Sequence, residues 1–445
     1  MKNQFQTILS LLKEQHPHAF ELRLVKTEAW EFYFIRHALD QNRVVNTEHL
    51  NLTIYETTDE CQTIGSASME IPLTASEEEI TAMIRELSYR ATLVKNAYYT
   101  LTPPSEEAGG SGAVGSVSES ASGADSSTIS LEDIARDFIE TMNDLPETDT
   151  EDINSYEIFV RRKTSRLVTS TGIDETEVYP SSMIEVVVNA RKDGHEIELY
   201  RNYTGGTCDK AALKEDLART MQRGKDRLQT EPTPSLGKVD VVFSTEDILP
   251  FYEYFLDRLD PAMVYRRLSD WEVGKPIAEE ISGDRLTAQT VLQLPNSSDN
   301  HRYDREGAKV REVTLLEGSV PKMLTGARMF SSYMGLTNTF CPTNVVFSGG
   351  SKTEEEIRQG AYLEAVAFSD FQVDSMTGDI FGEIRLGYLH DGNGNVKIVS
   401  GGSLSGSMAD FVKTLALSKA QVQYDNRVIP ALTRLKDVTL AGAGE

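Results

Sequence analysis

Histidine, cysteine and acidic residues are where chemistry would start in this chain, and their spacing decides what each could do. His195-Glu196 begins like a zinc-peptidase helix, but the chain continues Ile197-Glu198-Leu199-Tyr200. Such a site needs a second histidine one helical turn on, with the glutamate between them to activate water. Asp193-Gly194 just before it instead predicts a hairpin strand, where alternate residues face opposite sides. Asp391-Gly392-Asn393-Gly394-Asn395 imitates the start of a calcium loop. Val396 and Gly402 stand where that loop needs glycine and glutamate, so the stretch reads as a hairpin turn. Gly110-Ser111-Gly112-Ala113-Val114-Gly115 matches a dinucleotide fingerprint, but no strand precedes it and its setting is low-complexity. Cys341 would need a nearby histidine to act as a nucleophile. His301 and His390 are remote in sequence, so a small unreactive thiol is expected. The other histidines, His16, His18, His37 and His49, form no ligand spacing, and His16 and His18 straddle Pro17 at a helix end.

Bulk properties narrow the classes. With 44 basic and 69 acidic residues among 445, the net charge is 44 − 69 = −25. A surface so acidic repels phosphate backbones, and no Lys/Arg run offers a footprint, so no direct nucleic-acid binding is expected. The opening MKNQFQTILSLLKEQHPH has helical spacing and no continuous apolar run, unlike a signal peptide. No stretch approaches 18 consecutive apolar residues, so no membrane span is expected. Cys61, Cys208 and Cys341 are too few and scattered for a disulfide framework. These features predict a cytoplasmic protein with free thiols.

The elements that would carry a site follow from periodicity. A helix is expected over residues 2–15, then strands over 19–26, 30–40, 50–57 and 63–71. Ser76 caps a helix expected to run to about Tyr98, with Glu77, Glu78 and Glu79 in its first turn. Residues 104–130 are Gly/Ser/Ala-rich and read as a linker or loop that cannot bury a core. Helices are expected over 131–142 and 210–227, with strands over 155–203 between them. A boundary falls at 231–237, followed by a strand at 239–243 and a helix at 246–259. The remainder reads as mostly strand, with a hairpin over 381–399 and helices near 353–358 and 407–419. The class is α+β: hairpin-rich antiparallel or mixed sheets, a few helices and two main domains. The expected division is 1–103 as an N-terminal α+β region, 104–130 as linker, 131–235 as the rest of that domain, and 236–445 as a β-rich C-terminal domain.

Five blocks, in order, resemble the TldD/PmbA family, also called modulators of DNA gyrase. They are Arg166–Tyr203, Gly237–Phe243, Tyr303–Gly318 with its Tyr-Asp-Arg-Glu-Gly start, Pro342-Thr343-Asn344, and Thr377–Val412. The catalytic branch of that family carries His-Glu-x-x-x-His on the helix after the strand that opens the C-terminal domain. A late cysteine is its third zinc ligand. Here that helix reads EDILPFYEYFLDRLDPAM, no histidine lies between His195 and His301, and the tail after Ser418 has no cysteine. The pattern resembles the PmbA/TldE-like branch, which lacks the zinc motif.

The resemblance implies a non-catalytic subunit of a zinc metallopeptidase complex acting on unfolded peptides. No metal is expected in this chain; zinc would sit only in the partner. The implied partners are a TldD-like zinc-bearing homologue or a second copy, and peptides. Thr377, Gly378, Asp379, Gly401 and Gly402 are candidate peptide or partner contacts, with strand edges beside Gly378–Arg385 and Val396–Leu404 as places where a peptide could add. Two alternatives stay open: an autonomous hydrolase with another site, and a homodimeric adaptor with no peptidase role.

Overall fold

The computed structural model describes residues 4–104, 129–145 and 147–443. Most of the expected linker at 104–130, and the Gly110–Gly115 motif within it, lie outside the described residues. Helices take 23% of the chain and strands 44%, in several antiparallel or mixed sheets, which is the expected α+β class.

The first half is one antiparallel sheet with helices packed on it. Helix α1 (Gln4–Gln15) leads into β1 (Ala19–Ile35), β2 (Ala38–Thr58) and β3 (Thr63–Glu70). Helix α2 (Glu77–Thr92) and the short β4 (Asn96–Ala97) follow. After the undescribed stretch come α3 (Leu131–Asn143), β5 (Glu151–Thr169), β6 (Asp174–Lys192), β7 (His195–Gly205) and α4 (Lys210–Arg227). The sheet order β4-β3-β2-β1-β5-β6-β7 is nearly the chain order. Each helix buries one stripe. Ile8 and Leu12 of α1 and Ile80, Ile84 and Leu87 of α2 close over Leu22, Leu50, Leu52 and Ile54. Phe138 of α3 and Leu217 of α4 close over Tyr156, Ile158, Ile184 and Val186.

Three local expectations change. The strands at 19–26 and 30–40 are one continuous β1 plus a turn at Arg36, whose φ is +54°, and β2 returns for 21 residues. Segment 41–49, assigned to nothing from sequence, belongs to that return. Helix α2 has the expected Ser76 N-cap, which Glu79 completes as a capping box, but it stops at Thr92, because Asn96–Ala97 pairs with Thr63–Ile64. At that helix end Gly65 allows contact: a Cβ there would meet the carbonyl of Ala91 at 2.1 Å. The Asp193-Gly194 turn forms as expected, with φ of +51° and +78°, the left-handed pair a two-residue hairpin demands.

The second half is built from returns over long sequence distances. Strands β8 (Glu231–Pro232) and β9 (Gly237–Phe243) lead through a 3₁₀ turn into α5 (Leu249–Arg258) and α6 (Pro261–Tyr265). Then come β10 (Thr287–Val291), β11 (Thr314–Glu317), β12 (Val320–Pro321), α7 (Arg328–Tyr333), β13 (Asn344–Ser348) and α8 (Glu354–Ile357). The last run is β14 (Ala361–Val373), β15 (Asp379–Asp391), β16 (Val396–Ser400), β17 (Ser403–Ser407), α9 (Met408–Thr414), β18 (Ala416–Leu417), β19 (Gln421–Tyr424), β20 (Arg427–Pro430) and β21 (Thr433–Ala441). A six-stranded sheet runs β12-β11-β10-β13-β20-β19, and an eight-stranded one runs β14-β9-β21-β17-β15-β16-β8, with β18 also paired to β21. One aromatic-rich core joins them, with Phe243, Phe251, Phe255, Phe347 and Leu435 fully buried. The helix expected at 407–419 ends at Thr414, because Ala416–Leu417 pairs with Thr433–Arg434 of β21.

Candidate functional site

A cleft of about 500 Å³ opens between the first sheet and the second half. The sheet lends it Arg23 of β1, Ser165 and Leu167 of β5, and Glu175, Glu177 and Tyr179 of β6. Opposite stand α5, the turn from Asp299 to Gly307, Cys341–Thr343 and Arg427. Helix α5 buries Phe251, Tyr252 and Phe255 in the core and turns Glu253, Leu256 and Asp257 to the cleft, with Asp260 just beyond its end. Glu253 and Asp257 are one helical turn apart, so they lie on one face.

Each polar wall residue is held. Arg427 grips Glu253 with two nitrogens, Nε to Oε1 at 2.6 Å and Nη2 to Oε2 at 3.3 Å, and donates from Nη1 to the Thr343 carbonyl at 2.6 Å. The Ser375 hydroxyl donates to Asp257 at 2.5 Å. Burial, and the nearby Glu253 and Asp260 charges, still raise the Asp257 carboxyl above its ordinary range. Glu177 accepts from the Arg302 N–H at 2.7 Å and lies 3.3 Å from His301 Nδ1. Burial pushes that carboxyl up, but His301 and Arg302 outweigh it and hold it below the usual range. Tyr179 packs edge-on against the His301 ring at 4.3 Å.

The Tyr303–Gly307 turn is organised by Asp304. Its Oδ1 accepts from the N–H groups of Glu306 and Ala308, at 2.8 and 2.9 Å, and its Oδ2 from the Cys341 N–H at 2.7 Å. This carboxylate therefore ties the turn to the Cys341 strand entry. The fold does bring Cys341 and His301 to one cleft, which sequence distance left open. Burial, with Asp304 and Glu306 nearby, pushes the Cys341 thiol up to about 12. A thiol so poised is not a nucleophile near neutral pH. Behind the turn, Glu21 of β1 is pushed up to about 7, first by burial and then by Glu306, against a hydrogen bond from Tyr55.

The cleft face of α5 does not suit zinc in the manner of the catalytic branch. That branch needs two histidines and a cysteine thiolate. Here the face offers carboxylates already engaged by Arg427 and Ser375, and the nearby thiol stays protonated. Among the described residues, no three His, Cys, Asp or Glu side chains gather as a metal site.

The residues singled out from sequence stand elsewhere. Thr377, Gly378 and Asp379 form the β14–β15 turn, where Asp374 accepts from the Thr377 N–H at 3.0 Å and Gly378 has φ +78°. Gly401 and Gly402 form the β16–β17 turn and bond to Ile384. The strand edges expected beside them are occupied. Asp379–Glu383 pairs with β14 on one side and β17 on the other, and Ser403–Ser405 lies between β15 and β21. Only Val396–Ile398 keeps an outer side without a strand among the described residues. His195 lies at the start of β7 and Asp391 caps its own hairpin turn, both as expected. Glu177, Asp304, Glu253 and Arg427 were not singled out; the Tyr303 block and the α5 sequence were, as segments.

Comparisons with known proteins fit this geometry. The family model for the PmbA/TldA metallopeptidase C-terminal domain matches residues 236–442. No curated protein sequence matches. Among solved structures, TldE from Thermococcus kodakarensis shares 15% identity at a TM-score of 0.76, covering 98% of this chain and 100% of its own. A putative modulator of a DNA gyrase from Thermotoga maritima shares 14% identity at 0.74, over 99% of this chain and 100% of that one. Another putative modulator of DNA gyrase, from Bacteroides thetaiotaomicron, shares 17% at 0.77, over 99% and 98%. Residues 236–442 thus match the C-terminal domain of the PmbA/TldA metallopeptidases, and the fold of the whole chain is similar to that of TldE.

Proposed function

We propose that this chain is a non-catalytic subunit that holds extended or unfolded peptide in the cleft beside α5, while a TldD-like homologue supplies the zinc and the bond cleavage. One observation carries the reading: the helix at the zinc-helix position faces the cleft with Glu253, Leu256, Asp257 and Asp260 instead of histidines. The cleft is formed, and Glu253 and Asp257 on its helix are held by Arg427 and Ser375 rather than left free to take a metal. Without a Lewis acid, the residues present can bind and orient a chain but have no activated water to deliver. The name TldE on a structural relative supports the same branch.

The test is reconstitution. The chain is isolated from its own cells and its companions are identified by mass. It is then assayed on unfolded peptides, alone and with any homologue carrying His-Glu-x-x-x-His. The expected result is no hydrolysis alone, recovery of that homologue, and hydrolysis at least tenfold faster for the pair than for the homologue alone. Chelator-sensitive hydrolysis by the isolated chain, or a homologue indifferent to it, would overturn the reading.

A further inference from the structure

The cleft beside α5 is unevenly charged. Seven carboxylates and three guanidiniums line it, so anionic groups outnumber cationic ones. Several are matched. Arg427 neutralises Glu253, and His301 with Arg302 holds Glu177. Arg23 is engaged by the Ser165 hydroxyl at 3.2 Å and by the Arg305 carbonyl. Asp257 and Asp260 differ from these, because neither makes an ion pair among the described residues. The Ser375 hydroxyl reaches one oxygen of Asp257, and the Ala262 N–H reaches one oxygen of Asp260 at 2.7 Å. The other oxygen of each has no hydrogen-bond donor among the described residues.

The two carboxylates lie three positions apart, where α5 gives way to α6, and both line the cleft. Gly326 leaves Asp260 uncovered: a Cβ there would sit 2.8 Å from its Oδ1. Leu256 adds an apolar surface to the same wall. Burial, with the Glu253 and Asp260 charges, raises the Asp257 carboxyl, which is what an unmet negative potential does. A second, independent observation lies across Arg427. Thr343 lines the cleft and is only 9% exposed, yet its hydroxyl is buried with no hydrogen-bond partner among the described residues. A buried hydroxyl left unpaired is destabilising, and a ligand that pairs it removes that penalty. Arg427 bonds both to the Thr343 carbonyl and to Glu253, one helical turn before Asp257. The unpaired hydroxyl and the unpaired carboxylates therefore follow one wall, within a few residues' length of extended chain.

We infer that the peptide this cleft holds is a basic one: a lysine or arginine sets its cation between Asp257 and Asp260, lays its stem along Leu256, and a carbonyl of the same peptide accepts from the Thr343 hydroxyl. The inference rests on the peptide-holding reading and names the class of peptide. Ammonium and guanidinium groups are donors only, which suits two acceptor oxygens without partners. An acidic side chain in that place would be a third carboxylate, repelled by the other two.

Fluorescence anisotropy of the full chain tests it, with three labelled unstructured peptides that differ only in carrying lysine, glutamine or glutamate at the same positions. Salt is held near physiological strength, where distant charges are screened over about 8 Å and the chain's overall negative charge counts for little. The lysine peptide is expected to bind at least tenfold more tightly than the glutamine peptide, and the glutamate peptide more weakly than either. Asp257→Asn and Asp260→Asn are each expected to cut the lysine-over-glutamine ratio at least threefold, and Asp257→Lys to turn the preference toward glutamate. Thr343→Val is expected to weaken the lysine and glutamine peptides alike, at least threefold. Glu78→Gln, on exposed α2 and outside the cleft, is expected to keep the parent's ratio. Equal binding of lysine and glutamine peptides, a ratio unmoved by the Asp257 and Asp260 variants, a ratio lowered as much by Glu78→Gln, or full affinity in Thr343→Val would each overturn the inference while leaving the peptide-holding reading in place. Binding of none of the three peptides would overturn both.

Discussion

The two halves of this molecule reach similar strand content by different routes. In the first, the sheet order follows the chain, and most neighbours are joined by hairpins such as Arg36–His37 and Asp193–Gly194. In the second, local hairpins such as β14–β15 are tied together by neighbours far apart in sequence: β9 pairs with β21, setting Val241 against Leu435. A hairpin satisfies its own backbone locally. A long return is held only if distant segments meet with the right backbone spacing, and the main core of this half joins residues from Val241 to Leu440. The second half should therefore respond to one bad contact as a unit, and the first half piece by piece. The cleft lies on the seam, where polar side chains rather than a shared core join the two.

The sharpest way to break this contrast is Gly350→Ala. A Cβ at Gly350 would sit 1.8 Å from the Ser418 carbonyl, and rotating a side chain cannot relieve a clash with backbone. The parallel contact of Lys352 with Ser418 would have to open. The expected loss is on the order of 4 kcal/mol. Amide exchange should rise throughout 236–443 while the first sheet stays protected; a change confined to residues 348–353 would refute the cooperative picture. The seam comes next. Asp304→Ala strips acceptors from three N–H groups, including that of Cys341, and is expected to lose about 3 kcal/mol by denaturant titration. Asp304→Asn, which keeps an oxygen, should recover part of it.

What could be read from sequence divides along the same line. Periodicity and turn residues locate the first-half elements, because Asp193-Gly194 and the Ser76–Glu79 box are local devices whose partners lie within a few residues. In the second half the Asp391–Asn395 turn marks the β15–β16 hairpin in the same way, but the long-range pairings left no such mark. Nothing near Gly237 says that β9 pairs with β21, and the edges expected at Gly378–Arg385 proved interior for that reason. The cleft was legible only as segments. The resemblance picked out the Tyr303 block and the α5 sequence, but Glu253 met Arg427 across 174 positions and Glu177 met His301 across 124. Side chains that meet by folding carry no spacing signal.

Glu21 makes the seam titratable. Its carboxyl, raised by burial and by Glu306 from an ordinary 4.5 to about 7, binds a proton in the folded chain that the unfolded chain has released between those values. Stability is thus undiminished by this group below about pH 4.5, falls as pH rises toward 7, and levels off above. Glu21→Gln keeps the shape and removes the charge. It is expected to stabilise the chain by about 2 kcal/mol at pH 8 and by nothing at pH 4. A variant with the parent's pH profile would mean that Glu21 stays solvated.

The smallest effect is the control on the largest. Gly194→Ala makes the same chemical change as Gly350→Ala, but in the β6–β7 turn, where a Cβ meets nothing within 4 Å. Only the backbone cost remains. The φ of +78° is one that residues with a side chain adopt at a penalty of about 1 kcal/mol. Thermal unfolding should show that modest loss, and faster amide exchange should stay within β6 and β7. If Gly194→Ala instead loosens β1 and β2 as well, the hairpins of the first half are not independent, and the contrast between local and long-range construction fails at its simpler end.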